Sequence, residues 1–454
     1  HLGSMSESVQ SLMQEKSGTM QPGDTFIINN PYLGGTHLPD VTAISPVFAG
    51  IFDDKIKSPD FYVASRGHHA DIGGITPGSM PPASKHIDEE GVVFSHFHLA
   101  KEGHLNEDAL RKELLGAKYP ARNPEQNIAD LTAQIAANRC GAEALIRLCE
   151  RYGIAVVESY MQFVRNNAAS SVRKALGKIR DGQFTGELDD GSKITVEVKV
   201  NRKEESVAVD FSGTSAQHQG NMNAPRAISK AALLYVFRTI VNDNIPLNDG
   251  CLEPVEFSIP ENCILNPKTP AAVVAGNVET SQILVDALYG AMDLMAAAQG
   301  TMNNLTFGND QVQYYETICG GAGAGADHRG SSAVHTHMTN SRLTDPEVLE
   351  LRYPVLLEHF AIREGSGGAG KNRGGDGVIR RIRFLQPMTV SILSQRRVAE
   401  PFGLHGGKPG KRGINRWIKK DGTEEILPGT VTVKVESGDS IEIETPGGGG
   451  WGAC

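Results

Sequence analysis

The sequence predicts an α+β chain built in several lobes, and three observations predict it. Glycine- and proline-rich stretches with short β-type runs come first, a long helical region follows, and alternating apolar runs close the chain. At 454 residues the chain exceeds the span of one hydrophobic core, so the lobes are expected to pack intimately. We divide it into a glycine-looped lobe at 1–104, a long helical hairpin at 105–180, a mixed α/β central lobe at 181–375 and a β-rich C-terminal lobe at 376–454.

Phe26–Ile28 and Phe61–Ala64 read as strands capped by glycine-rich loops. From Asn106 to Ile179 alanine, leucine and charged residues recur at helical spacing, with Asn106 as an N-cap and Gly153 as the break between two long helices. Ile194–Val200 and Val207–Phe211 alternate with period two and predict a hairpin turning at 201–205. Helices are expected at Ala227–Val241 and Ser281–Ala298, and strands at Val431–Val435 and Ile441–Glu444. No repeat of fixed period occurs.

With 39% hydrophobic and 21% charged residues this is a globular composition, and a net charge of -9 leaves no basic footprint for nucleic acid. No apolar run approaches the ~20 residues that span a bilayer, so a cytoplasmic location is the default. Cys140, Cys149, Cys251, Cys263, Cys319 and Cys454 show no Cys-x-x-Cys spacing and read as reduced thiols. The start at His1 in place of methionine suggests a fragment or a processed chain.

Chemistry concentrates in two glycine-flanked loops. His37-Leu38-Pro39-Asp40 follows Gly34-Gly35, and Arg66-Gly67-His68-His69-Ala70-Asp71 precedes Gly73-Gly74. Imidazole and carboxylate together suit zinc, manganese or iron, and the glycines let the two loops converge. The competing reading is that both loops only stabilise turns. His69 is a substrate-facing catalytic candidate, and Glu90, beside Glu89, is either a general base or part of a solvated acidic turn. Arg66 can grip a substrate carboxylate or fix a loop.

Other polar groups are weaker signals. Asn223 and Arg226, and Asn277 and Glu279 with Thr280 and Ser281, sit just ahead of apolar helices, where they can bind substrate or merely cap. His335 and His337 would share one face of a strand over 333–338 and join Asn340, Arg342 and Asp345 in a substrate or domain contact; a second metal site is the alternative. His96 and His98 lie in an apolar run and read as structural. Gly365–Asn372 fails as a phosphate loop because Asn372 replaces the magnesium-binding hydroxyl, and a mobile or tightly turning loop is expected. Gly320–Gly325 opens no helix and is expected to be a lid or a close backbone approach to substrate.

The wording of Asn30–Asp40 and Ser65–Pro82 resembles the hydantoinase B family, which includes the second half of ATP-dependent 5-oxoprolinase and the alpha subunits of acetone and acetophenone carboxylases. Gly220–Arg226, Ile245–Cys251, Gly276–Gln282, His335–Asn340, Gly374–Gly377, Phe402–Gly407 and Thr445–Gly452 resemble later blocks of the same family, so the likeness covers nearly the whole chain. Phe61–His69, Tyr314–Thr317 and Thr344–Glu347 are most similar to the 5-oxoprolinase branch.

The resemblance implies that Asp40, His68 and Asp71 hold a divalent metal; His37 joins them on its spacing from Asp40, as a ligand or as a group that orients one. It also implies a metal-binding glutamate from a stretch preceding His1. ATP would be handled by a separate hydantoinase-A-like partner, not on this chain, and the whole would tend to form an oligomer. The implied reaction opens a small cyclic amide, 5-oxoproline, to glutamate. Two alternatives stand beside it: a carboxylase alpha subunit and a non-catalytic assembly subunit.

Overall fold

The structure, a computed structural model, describes residues 2–50 and 58–453. Helix α1 (Met5–Lys16) leads into an antiparallel sheet of β1 (Thr25–Ile28), β2 (Asp40–Val47), β3 (Phe61–His68), β4 (Phe97–Lys101) and β5 (His104–Leu105), in the order β3-β2-β1-β4-β5. The sheet is covered on both sides, which explains why β1 and β2 are buried at every position instead of alternating. Leu12 of α1 packs with Phe26, Ile28 and Ile44 on one face. On the other, helices α2 (Glu107–Gly116) and α3 (Pro124–Tyr152) supply Leu110, Leu114, Ile128 and Leu131 against Ile27, Val41 and Ala43. Gln134 and Asn138 of α3 donate to the carbonyls of Val41 and Ala43.

Helix α4 (Ile154–Leu176) follows α3 after the single residue Gly153, whose φ of +84° only glycine adopts readily. The expected break therefore stands, and Asn106 does precede α2, but its side chain makes no cap hydrogen bond. The two long helices meet near their junction through Leu145, Ile146, Ile154 and Val157.

The second sheet, ordered β6-β7-β8-β9, comprises β6 (Gly182–Glu187), β7 (Lys193–Asn201), β8 (Ser206–Asp210) and β9 (Val255–Ser258), with β7 and β8 forming the expected hairpin. Helices α5 (Arg226–Thr239) and α6 (Ser281–Ala291) pack over it in the largest apolar cluster. One π-type turn, Gly276–Thr280, leads directly into α6. That helix stops at Ala291, short of the expected Ala298, because the backbone of 296–299 is drawn into another layer: Gln299 N donates to the Gly321 carbonyl and Ala297 N to that of Phe402.

Two further sheets complete the chain. One, ordered β11-β10-β14-β17, uses β10 (Asn304–Gly308), β11 (Gln313–Glu316), β14 (Met388–Leu393) and β17 (Thr430–Val435); the other, ordered β12-β13-β18-β15-β16, uses β12 (Val355–Arg363), β13 (Gly377–Phe384), β15 (Ile414–Ile418), β16 (Glu424–Leu427) and β18 (Ser440–Glu444). A short α7 (Pro346–Arg352) precedes β12. Phe307, Val390, Ile382, Phe384 and Ile441 fill the space between the sheets. Buried Arg380 grips Glu316 through Nε and Nη2 at 2.7 and 2.9 Å. The architecture is α+β, as the sequence predicts.

Four glycine-rich segments, near 320–325, 365–377, 403–410 and 446–452, lie backbone against backbone. Gly368 N donates to Gly448 O at 2.8 Å, Gly448 N to Gly375 O at 2.9 Å, Gly375 N to Ala322 O at 2.9 Å and Gly450 N to Lys408 O at 2.9 Å. A Cβ on Gly448 would lie 2.0 Å from the Ala322 carbonyl oxygen, and one on Gly449 1.9 Å from that of Phe402. Closeness, not an unusual φ, requires glycine here. The expectation of a lid at Gly320–Gly325 is thereby corrected, and of the two expectations for Gly365–Asn372, a mobile or a tightly turning loop, the backbone hydrogen bonds favour the second. Among the described residues no helix is long and apolar enough to cross a membrane.

Candidate metal centre

The ladder between β2 and β3 builds the site. Asp40 opens β2, His68 ends β3, and the register sets them directly opposite each other. His37 is returned to the same spot by a turn in which Asp40 N donates to the His37 carbonyl at 3.0 Å. His68 Nδ1 lies 2.9 Å from Asp40 Oδ1, His37 Nδ1 lies 3.6 Å from Asp40 Oδ2, and the two imidazole centroids are 5.2 Å apart. Among the described residues this trio is the group able to hold a metal ion, with one donor atom from each within 4.8 Å of the others. Donors sharing one ion at ~2.0–2.2 Å stand roughly 3–3.5 Å apart, close to the two histidine–Asp40 distances of 2.9 and 3.6 Å.

Electrostatics prepare the donors. Burial strips water from the His37 cation and lowers its pKa to about 4, against the attraction of Asp40, which leaves the neutral imidazole that ligation requires. For Asp40 burial pushes upward, but His37 and the hydrogen bond from His68 together outweigh it and hold the carboxylate well below its usual range. Behind them Arg66 donates to Thr42 Oγ1 at 2.7 Å and Ser8 Oγ at 3.1 Å, and also to Ser4. Tyr315 stacks on His68 at 5.2 Å and donates its hydroxyl to Asn304 Oδ1 at 2.8 Å. Asn304 in turn donates to Glu279 Oε1 at 2.7 Å.

The trio opens onto a cavity of about 420 Å³ whose walls include Arg66, Val278, Met302, Tyr315, Met338 and Asn340. His37, Asp40, His68, Arg66 and Asn340 are thus brought together as the sequence proposes. Asp71 is not. Its carboxylate accepts from Gly73 N, Gly78 N and Arg122 N and pairs with the Arg122 guanidinium at 2.8 Å, so its lone pairs are claimed by its own loop. His69 faces away because consecutive side chains at a strand end point to opposite sides; it meets Asn127 Nδ2 at 2.9 Å, buried under α3.

Glu90 is neither a solvated turn nor a wall of this cavity. Fully buried, it accepts from Val273 N, Val274 N and Ser84 Oγ, and burial raises its pKa to about 7. Asn223 binds His218, Gly220 and Ala272 backbone groups, and Arg226 lies exposed over the Phe257 ring at 5.4 Å. In the π turn, Val278 faces the cavity while Asn277 and Glu279 turn inward, to Val273 O and to Met302 N. Segment 333–338 is no strand: Ala333 and His337 take φ of +55° and +50°. His337 Nε2 sits 2.9 Å from Asp286 Oδ1, at the wall of a second cavity of about 410 Å³ that shares Met338 and Asn340 with the first. Asp345 caps α7 instead of joining them.

Sequence reasoning missed Tyr315 as a site residue, and Asp286. A lone carboxylate inside the apolar run Ile283–Leu288 was the available signal for Asp286, since such a charge needs a partner. Nothing local marks Tyr315.

The chain, whose described residues form four sheets with the His-x-x-Asp and His-His segments meeting at one ladder end, belongs to the family described as Hydantoinase B/oxoprolinase, whose model matches residues 1–454. The chain is 46% identical over 477 residues to 5-oxoprolinase 1 of Arabidopsis thaliana and 45% identical over 461 residues to 5-oxoprolinase of Dictyostelium discoideum. All of this chain is covered in both, but only 37% and 36% of those relatives, so it spans little more than a third of their length. Among solved structures, the ATP-dependent caprolactamase from Pseudomonas jessenii superposes with a TM-score of 0.86 at 25% identity, over 100% of this chain and 81% of that one. A nucleotide-free acetone carboxylase shares the fold, with a TM-score of 0.85 at 18% identity, over 100% and 68%.

Proposed function

We propose that this chain is the metal-bearing, hydantoinase-B-like part of an ATP-dependent cyclic amidase that opens 5-oxoproline to glutamate. The observation that carries the reading is the His37–Asp40–His68 trio lining a small cavity, in a chain whose curated relatives at 45–46% identity include 5-oxoprolinases. The caprolactamase likeness supports a cyclic amide as substrate class. ATP would be used by a hydantoinase-A-like part elsewhere in the complete protein, activating the lactam by phosphorylation; the short coverage of the relatives agrees with such a part.

Zinc, manganese or iron held by His37, Asp40 and His68 would supply Lewis-acid polarisation of the lactam carbonyl or of a water. This chain's residues do the rest. Val278, Met302 and Met338 give the ring methylenes an apolar wall, while Asn340 offers an amide for hydrogen bonding. Arg66, braced by Ser4, Ser8 and Thr42, places positive charge beside the cavity. His337, oriented by Asp286, extends the polar wall into the adjoining cavity.

The test is elemental analysis of the complete protein beside His68→Ala, with ATP-dependent glutamate release assayed in parallel. Stoichiometric metal lost together with at least ~100-fold of activity supports the reading. Full activity without metal moves the chemistry elsewhere.

A further inference from the structure

A carboxylate inside an apolar helix needs a compensating charge, and Asp286 has more partners than that requires. It lies in the apolar run Ile283–Leu288 of α6 and is 1% exposed. Arg396 Nη2 stands 3.4 Å from its Oδ2, and Ala298 N donates to Oδ1 at 2.9 Å, so charge and hydrogen bond are already supplied. His337 comes in addition, with Nε2 2.9 Å from Oδ1. His337 and Arg396 both reach the carboxylate from left-handed backbone, with φ of +50° and +66°, where side chains other than glycine are strained. Strain gathered on one group marks a side chain that must be held in one place.

The pairing fixes the imidazole. Asp286 accepts the Nε2 proton, so the neutral ring carries its lone pair on Nδ1, and among the described residues no protein group hydrogen-bonds that atom. Tyr235 and Tyr289 confine the ring at centroid distances of 6.0 and 5.5 Å. The His337 side chain is 4% exposed, and the space it meets is the second cavity, which adjoins the metal cavity across Met338 and Asn340. Arg238, the other charged residue on that wall, donates through Nε and Nη2 to the Ile245 carbonyl. A histidine oriented by a buried carboxylate, with its second nitrogen at a cavity, is built to take up and return a proton.

We propose that His337 is the proton carrier of ring opening, an inference that rests on the amidase reading above. The lactam, phosphorylated on its oxygen by the ATP-binding part, is attacked by water. The water oxygen bonds to the carbonyl carbon, the carbon–nitrogen bonding electrons go to nitrogen, and both water hydrogens end there, carried by His337 Nδ1. The imidazole finishes neutral, as it began, and Asp286 stabilises the imidazolium that forms between the two transfers. The phosphoryl group stays on the other oxygen and leaves as phosphate when a second water hydrolyses the acyl phosphate.

The experiment compares ATP-dependent glutamate release by the complete protein as wild type, His337→Gln and His337→Gly, with metal content measured on each. Glutamine keeps an amide that can donate to Asp286 but carries no proton, whereas glycine suits the φ of +50° and leaves a hole where the ring was. The expected result is unchanged metal content, a kcat lower by at least ~100-fold in both variants, and recovery by ~10-fold or more when imidazole is added to the glycine variant but not to wild type. A glutamine variant within about threefold of wild type overturns the proposal, because hydrogen bonding to Asp286 would then suffice. So does a glycine variant that imidazole fails to restore, or the loss of metal from either variant. A wild type that releases no glutamate overturns the amidase reading itself and this proposal with it.

Discussion

Two aspartates that look alike in the sequence have different work. Asp40 has both oxygens toward imidazoles, whereas Asp71 is saturated by backbone amides and Arg122. Asp40→Asn should therefore abolish metal binding. Asp71→Asn should leave metal content unchanged and cost about 2–3 kcal/mol in urea unfolding, the worth of hydrogen bonds to a buried charge. Glu279 supplies a pH signature. Burial raises its pKa to about 8, against hydrogen bonds from Thr301 and Met302 N and the charge of Arg397. The folded chain keeps a proton that the unfolded chain sheds near pH 4.5, so this contribution is full below that pH and is lost as pH rises through about 8. Glu279→Gln should flatten the stability profile across that window, read by thermal unfolding at several pH values. His37, Asp40 and His68 were legible as a cluster because their residue types and glycine flanks suit ligation; Asp71 was grouped with them because spacing does not show which amides a carboxylate will find.

Among elements, the decisive one is the β2–β3 ladder. A slip of one residue would move His68 to the other face of the sheet, away from Asp40. Of the two strands only β3 was visible, as the apolar run Phe61–Ala64, while β2 was not read as a strand and the register comes from packing between α1 and α3. The glycine layer is the second case. Gly448→Ala drives a methyl into the Ala322 carbonyl and should destabilise the protein by about 3 kcal/mol, whereas Gly116→Ala, with nothing within 4 Å at the end of α2, should stabilise it by about 0.5–1 kcal/mol. Chemical denaturation of both variants checks the contrast. In the sequence these glycines looked like loop punctuation, because the four segments that interleave are separated by dozens of residues.

At the scale of the whole molecule, the chain spans little more than a third of its 5-oxoprolinase relatives, so the proposed reaction belongs to a larger assembly. We expect glutamate release by the complete protein to need ATP and to be indifferent to bicarbonate. A rate that rises with bicarbonate would favour the carboxylase branch, whose acetone carboxylase shares this fold. Steady-state assays with and without each cosubstrate decide it.

The sequence by itself determined the fold class and the family and named four metal-ligand candidates, three of which the fold brings together, because period, composition and motif wording are local properties. It also placed the helix break at Gly153 and the β7–β8 hairpin, where one chiral or alternating pattern suffices. Only the tertiary structure decided that Asp71 serves Arg122, that His69 and Glu90 are buried supports, that Asp286 holds His337, and that Tyr315 covers His68. Each of these depends on which distant donor, acceptor or ring arrives first at a side chain, and that is settled by packing between segments remote in the chain.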